Sequence, residues 1–386
     1  MKNLKKKRVL LITNMISPYR IPLFNAIFER GNFDFKIVAL IEREKNREWE
    51  LSENRIKFDY QILPGWHWFI WGKKKEISIH LNRGVFKALL KYKPDVIITS
   101  GYDDLAYWQS FLYCKTFKKN FILWNSTTLQ SVGSIKGIRG RLKKIITKGS
   151  DRYITYGTKA KEYLEYFGAK SEKIYIGTNT VDMEDFKNRV EEYRNKDNFP
   201  KERKQYPKYL LLYIGQLINR KGIIQVLEAL DILGDQEIGL LVVGSGPEEK
   251  NLKIFCKENK LKNVFFEGFQ QQEILARYYA LADIFILPSF EEVWGLVVNE
   301  ALASGLYVLS SKYAGASYDL IKECWNGEVF DPNKVEEIVE LIKRVKEKIE
   351  DIRERRDDIS QYACEEFSIK KSAQEFIKAI NSVKNI

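Results

Sequence analysis

Histidine is almost absent: His67 and His80 are the two in 386 residues, so chemistry that relies on an imidazole has few places to sit. Cysteine is sparse too. Cys114, Cys256, Cys324 and Cys364 stand far apart, with no CxxC pair and no neighbouring histidine, which excludes the common zinc patterns and reads as reduced core thiols. No stretch approaches the ~18–20 apolar residues of a membrane-spanning helix. The apolar run after the basic start is only Val9 to Ile12, too short for a signal peptide. The expected location is therefore cytoplasmic, or peripheral on the inner face of the plasma membrane. No internal repeat at solenoid periods is visible.

The composition is that of a soluble globular protein, 45% hydrophobic and 30% charged, and the length exceeds what one hydrophobic core usually supports. Two domains are expected. The net charge of +12 is uneven: residues 1–185 carry 34 Lys/Arg against 19 Asp/Glu, and residues 186–386 carry 30 against 33. An excess of +15 in the first half suggests an anionic partner there, a membrane surface, a lipid phosphate or a nucleic acid.

Short β-branched runs alternate with helical patterns, the signature of βαβ units and parallel sheets. Strands are expected at 8–13, 35–40, 96–100, 121–125, 152–156 and 174–176. After a polar stretch with no apolar period they resume at 209–214, 239–243, 264–267, 284–287 and 307–310. The expected division is an N-terminal domain over 1–185, a linker over 186–208, a second Rossmann-like domain over 209–365, and a last helix, 366–386, that can pack back on the first domain. The first helix should start at Pro22, with Leu23, Ile27 and Phe28 on one face.

The densest chemical signal follows the strand at 284–287. Glu292 falls in the loop and Glu300 eight residues later in the next helix, whose first N–H groups, around Gly295, Leu296 and Val297, suit a phosphate. A carboxylate for hydroxyls and N–H groups for phosphate would share one pocket. Two glutamates taken alone are more often solvated, but a second segment supports the reading. In Gly215-Gln216-Leu217-Ile218-Asn219-Arg220-Lys221-Gly222, two cations stand at a helix start, an unfavourable place unless an anion binds there. Lys221 and Arg220 suit a diphosphate. The turn at Gly244, Val243-Gly244-Ser245-Gly246-Pro247-Glu248, is a weaker sign of a ligand near the backbone.

Together, GQLINRKG, VVGSGPE, VFFEGF and ADIFILPSFEEVWGLVVNEALASG resemble the retaining GT-B glycosyltransferases of family 4, the glycosyl transferases group 1. Upstream, IYIGTNTVD at 174–182 resembles the end of that family's first domain, and SPYRIPLF at 17–24 the first-strand loop of one subgroup. The resemblance implies an α/β fold of GT-B architecture, two Rossmann-like doubly wound parallel-sheet domains facing a central cleft. It implies a hexosyltransferase-type enzyme that moves a sugar, with retention, from a nucleotide-diphosphate sugar to a glycan or lipid-linked glycan acceptor in cell-surface polysaccharide or glycolipid synthesis. UDP is the favoured carrier.

Carried over by position, Glu292 meets the transferred sugar, Lys221 the diphosphate and Glu300 the donor ribose. Gln216, Arg220, Gly295, Leu296, Val297, Gly244 and Phe269 complete the donor site. Many family members have arginine at the place of Gln216, and many have an acceptor-side histidine that this chain lacks. Front-face transfer, in which a leaving phosphate oxygen takes the incoming hydroxyl's proton, is the implied mechanism. The Asp-x-Asp triplet that binds a metal in the other major glycosyltransferase fold is missing, so no metal and no cofactor beyond the donor are expected.

Acceptor contacts are expected from loops after first-domain strands: Tyr19, Arg20, Tyr102, Asp103, Asn125 and Ser126. Residues 134–148 place Ile135, Ile138, Leu142, Ile145 and Ile146 on one face among lysines and arginines. Residues 66–75 join Trp66, Trp68 and Trp71 to three lysines. Both suit an anionic bilayer surface, and both also suit ordinary packing, in which His67 is a packing residue. Two other classes stay open: a nucleotide-sugar epimerase of the same architecture, and a non-enzymatic nucleic-acid-binding protein. No short nucleic-acid-binding motif appears, and that second class leaves the paired glutamates unexplained.

Overall fold

The computed structural model describes residues 6–43, 53–71, 76–131 and 137–384, with the side chains of 69–79 outside the description. The chain divides into two compact units, one of residues 1–179 with 369–386 and one of residues 180–368.

In the first unit the strands are β1 (Lys7–Thr13), β2 (Phe33–Ala39), β3 (Asp59–Ile62), β4 (Gly65–Trp71), β5 (Glu76–Asn82), β6 (Val96–Thr99), β7 (Asn120–Asn125), β8 (Arg152–Thr155) and β9 (Ile174–Ile176). Seven form one sheet in the order β3-β2-β1-β6-β7-β8-β9, and every pair in it is parallel. β4 and β5 make a separate antiparallel hairpin that pairs His67 with His80. Both faces of the sheet are covered, so β6 and β7 are buried at every position, as a doubly wound sheet requires. On one face Leu10, Ile97 and Leu123 meet Leu89, Tyr113, Ile146 and Tyr163. On the other, Trp124 packs edge-on against Phe24 at 6.2 Å and Phe376 at 5.1 Å between ring centres.

Phe376 belongs to the helix Ile369–Asn381, whose Ser372, Ala373, Phe376, Ala379 and Ile380 form a buried stripe. Cations receive the end of this segment, where backbone carbonyls lack intrahelical partners. Lys7 Nζ donates to the Ile380 carbonyl at 3.1 Å and Arg152 to Ser382 at 2.8 Å.

The second unit carries β10 (Tyr209–Ile214), β11 (Ile238–Val243), β12 (Val264–Gly268), β13 (Ile284–Leu287), β14 (Tyr307–Ser311) and β15 (Gly327–Phe330). Their order is β12-β11-β10-β13-β14-β15, again parallel throughout. Within 186–208, expected as a linker, the chain is largely helical: Met183–Arg194 and Phe199–Arg203 are helices. Polarity hides the first because its buried stripe is only Met183, Phe186 and Val190, and the Asp182 side chain caps its start by accepting from Asp185 N. The first helix of the chain begins at Ile21; Leu23 and Ile27 are buried, whereas Phe28 is 39% exposed.

Asp283, at the foot of β13, is 3% exposed and holds this unit together. It accepts from Leu210 N at 3.0 Å, Arg203 at 2.9 Å, Arg353 at 3.0 Å and Arg356 at 2.8 Å. Burial raises its carboxyl, but the Arg353 hydrogen bond and the Arg356 and Arg203 charges outweigh that and hold it below the ordinary range. Removing one member of such a group strands the others in a low-dielectric interior, at a cost of about 3–5 kcal/mol. Asp283→Ala should therefore lower the unfolding free energy from urea titration by that amount at neutral pH. A loss under about 1 kcal/mol would show that water relieves the arginines.

Candidate donor site at the strand-order reversal

Strand order reverses between β10 and β13, the place where open α/β sheets bind ligands. The loops leaving these two strands carry the paired-glutamate and two-cation segments, and backbone contact locks them together. Gly222 has φ 68°, and a Cβ there would lie 2.1 Å from the Pro288 carbonyl oxygen, so no side chain fits. Phe290 N donates to the Arg220 carbonyl at 2.8 Å, and Arg220 Nη1 to the Glu291 carbonyl at 3.1 Å. Between the locked loops, Lys221 Nζ donates to Glu292 Oε2. Both side chains are largely shielded, 13% and 18% exposed.

A third loop fixes Glu292 from behind. Glu292 N donates to the Tyr313 carbonyl at 3.3 Å, and Gly315 N donates to the Glu292 carbonyl at 3.1 Å. The helix Leu296–Ala303 follows, capped by Gly295 at φ 99°. Its first N–H groups, around Leu296 and Val297, have no intrahelical acceptor.

Glu300 lies in the second turn of that helix and is 2% exposed. Tyr279 Oη donates to its Oε2 at 2.8 Å. Burial pushes the carboxyl up to about 7, against the opposing effects of the Tyr279 hydrogen bond and the Arg189 charge. Tyr279 is itself set by Phe186, edge-on at 5.1 Å, and by Phe285, stacked at 6.0 Å. On the same loop, the Ser289 hydroxyl is fully buried and has no partner among the described residues.

Lys221, Glu292, Gly295, Leu296, Val297 and Glu300 are thus gathered on the loops and helix around this reversal. The others stand differently. Gln216 is exposed, and its carbonyl accepts from Tyr213 Oη at 2.9 Å. Gly244 is a packing position: a Cβ would sit 1.9 Å from the Gly215 carbonyl oxygen. Phe269 is 46% exposed after β12. Sequence reasoning missed Tyr279, Ser289 and the Tyr313–Gly315 loop; only the glycine turn after β14 could have signalled the last.

In the first unit, Arg20 closes the short turn Pro18–Arg20 and reaches back to Thr13 at the end of β1; Asn125 ends β7, and Ser126 follows it, part-exposed like Tyr19. Asn125 Nδ2 donates to the Thr127 carbonyl at 2.9 Å. Tyr102 is buried with its hydroxyl bonded to that of Tyr163, and Asp103 is exposed. In the helix Gly137–Gly149, Ile138, Leu142 and Ile145 are 75%, 43% and 54% exposed, whereas Ile146 is buried. Trp66 and Trp68 are about half exposed. Residues 72–75 and 134–136, including Ile135, lie outside the described residues, as does the Trp71 side chain. His67 Nδ1 lies 3.0 Å from His80 Nδ1.

Two Rossmann-like parallel-sheet domains of this order match the structures of GT-B glycosyltransferases. Residues 194–366 match the family model of the glycosyl transferases group 1. Similar curated proteins include the sulfoquinovosyl transferase SQD2 of Arabidopsis thaliana, 32% identical over 41% of this chain and 30% of its own length. The GDP-mannose-dependent alpha-mannosyltransferase of Corynebacterium glutamicum is 34% identical over 32% of this chain and 28% of its own. The matched part thus spans about a third of those relatives' length. Among solved structures, Anabaena HepE in complex with UDP and glucose superposes with a TM-score of 0.71 at 15% identity, covering 97% of this chain and all of that one.

A native Glu300 with a carboxyl near 7, against an ordinary value of 4.5, keeps a proton that the unfolded chain has released. Stability should therefore fall as pH rises through that window, by about 3 kcal/mol in full. Glu300→Gln keeps an acceptor for Tyr279 and has no proton to lose. In urea unfolding the variant should gain on the parent between about pH 5 and pH 8. Parallel pH profiles would contradict a buried, uncompensated carboxylate.

Proposed function

We propose that the protein is a metal-independent, retaining hexosyltransferase whose second unit holds a nucleotide-diphosphate sugar, with UDP favoured. The observation that carries the reading is the Lys221–Glu292 pair beside an open helix N-terminus at the β10/β13 reversal. A diphosphate takes Lys221 as its counter-charge and lies along the N–H groups of Gly295, Leu296 and Val297. Glu292, released from the lysine, accepts hydrogen bonds from the transferred sugar. Glu300 takes the ribose hydroxyls, which compensates for the cost of its burial.

Charge on the departing diphosphate grows as the sugar becomes oxocarbenium-like, so a preorganised lysine and helix terminus stabilise the transition state more than the ground state. A leaving phosphate oxygen then takes the proton of the incoming hydroxyl. HepE solved with UDP supports the choice of nucleotide, and relatives named for amylovoran biosynthesis and for lipopolysaccharide glucosyl transfer support a glycan or lipid-linked acceptor.

We also propose peripheral contact with an anionic bilayer through residues 134–148 and 66–75. Support comes from Ile138, Leu142 and Ile145, which lie on one exposed stripe of a helix with five basic and no acidic residues. Among the described residues no helix is long and apolar enough to cross a membrane.

Transfer is tested with a panel of sugar nucleotides and glycolipid acceptors, reading the anomeric configuration of the product by NMR. The expected product keeps the donor's configuration, forms equally in EDTA, and falls by at least about 100-fold in Lys221→Ala. Inverted product, or loss with EDTA, would overturn the mechanism. Flotation with vesicles should recover the protein on phosphatidylglycerol but not on phosphatidylcholine, and Ile138→Ser with Ile145→Ser should reduce recovery. Equal recovery on both lipids would exclude the anionic-surface reading.

A further inference from the structure

The first unit has its own strand-order reversal, between β1 and β6, and a cation stands on it. Arg20 Nη1 donates to Thr13 Oγ1 at 2.9 Å and Nη2 to the Tyr156 hydroxyl at 2.5 Å. Its guanidinium lies over the Trp124 ring, 4.7 Å from the centre. Thr13 also accepts from Ser100 Oγ at 3.0 Å, which in turn bonds Tyr107 Oη at 3.1 Å. Every group holding the guanidinium is neutral, and among the described residues no carboxylate pairs with it.

That arrangement is donor-rich. A guanidinium has five N–H groups, and two are used. The Tyr156 hydroxyl accepts from Arg20, and its own proton has no acceptor among the described residues. Three guanidinium N–H groups and the Tyr156 proton are thus left without an acceptor among the described residues, while the Asp103 and Asp104 charges reach the adjoining Tyr107. On a neighbouring strand end the Thr155 hydroxyl of β8 is buried without a partner among the described residues, whereas the unpartnered Asn125 Oδ1 on β7 is an acceptor that a phosphate does not satisfy. A guanidinium clamped in one orientation by stacking and two hydrogen bonds loses little freedom on binding, and its fork matches phosphate oxygens.

We infer that the β1/β6 reversal binds a phosphate group through Arg20 and Tyr156, and that the acceptor of this enzyme carries that phosphate. The assignment deepens the acceptor role proposed for the first unit and rests on it. The positive excess of the first half draws such a ligand in. Phosphate supplies more acceptor oxygens than a sugar hydroxyl, and the four donors are satisfied together.

The test reads the site without requiring transfer. Arginine Nε–Hε NMR signals of the full chain are recorded, with the Arg20 signal identified by its loss in Arg20→Lys. Inorganic phosphate at constant ionic strength should shift that signal saturably, in Lys221→Ala as in the parent, and Tyr156→Phe should weaken binding about tenfold. Glucose 1-phosphate and dihexanoyl phosphatidate form two further arms. The tighter of them tells whether the phosphate belongs to a soluble sugar or a lipid, and binding of either supports the site. An Arg20 signal that stays still in phosphate, or moves equally in chloride, overturns the inference. Should Arg20 bind phosphate while no sugar nucleotide binds Lys221, the donor reading fails and the anion site stands.

Discussion

The approach of Gly222 to the Pro288 carbonyl sets the chemistry of the second unit. With a Cβ excluded at 2.1 Å, the loops after β10 and β13 close on each other, and Lys221 and Glu292 meet because their backbones are already in contact. Gly244 repeats the device one strand away, pressed against Gly215. Glycine here is a spacing element: it lets three strand ends converge more tightly than any side chain would permit. A lysine and a glutamate brought together in this way neutralise each other until an anion competes for the lysine, and the shielded position strengthens both interactions.

Around that contact the fold places groups that cost stability. Glu300 is carried into the interior by its helix with a tyrosine hydroxyl and the charge of Arg189 for company, and the Ser289 hydroxyl is buried without a partner among the described residues. Asp283, at the opposite end of the same strand, is saturated by three arginines and a backbone N–H. At one end of β13 the Asp283 carboxylate is satisfied, with only Arg356 Nε beside it lacking a partner among the described residues; at the other end the Ser289 hydroxyl leaves hydrogen bonding for a ligand to complete. Arg20 in the first unit has donors to spare: two of its five N–H groups are used, on neutral hydroxyls, whereas Glu300 has one tyrosine hydroxyl for a buried carboxyl.

Much of this was legible in the sequence because buried parallel strands are continuous apolar runs: β10, β11 and β13 stand out as such, and the paired-glutamate segment follows one directly. Other elements were not legible, for physical reasons. β15 carries Glu328, whose burial depends on Tyr307 and Arg344 from other elements. β3 alternates weakly at a sheet edge. The helix Met183–Arg194 shows a three-residue apolar stripe in a polar field, yet its Phe186 positions Tyr279, the side chain that donates to Glu300, from far along the chain. Position in a motif could indicate Glu300 and Lys221, but not Tyr279, which comes from another helix, nor the burial of Ser289, which the motif contains but which only the fold imposes.

The central claim is that the loops after β10 and β13, with the following helix, form a nucleotide-diphosphate site. Calorimetric titration of the purified protein with UDP, GDP, ADP and dTDP, each with and without EDTA, tests it most directly. Saturable binding of one nucleotide, UDP before the others, is expected, unchanged by EDTA and lost or weakened about 100-fold in Lys221→Ala and in Glu300→Ala. Binding that ignores both substitutions, or no binding of any nucleotide at millimolar concentration, would contradict it.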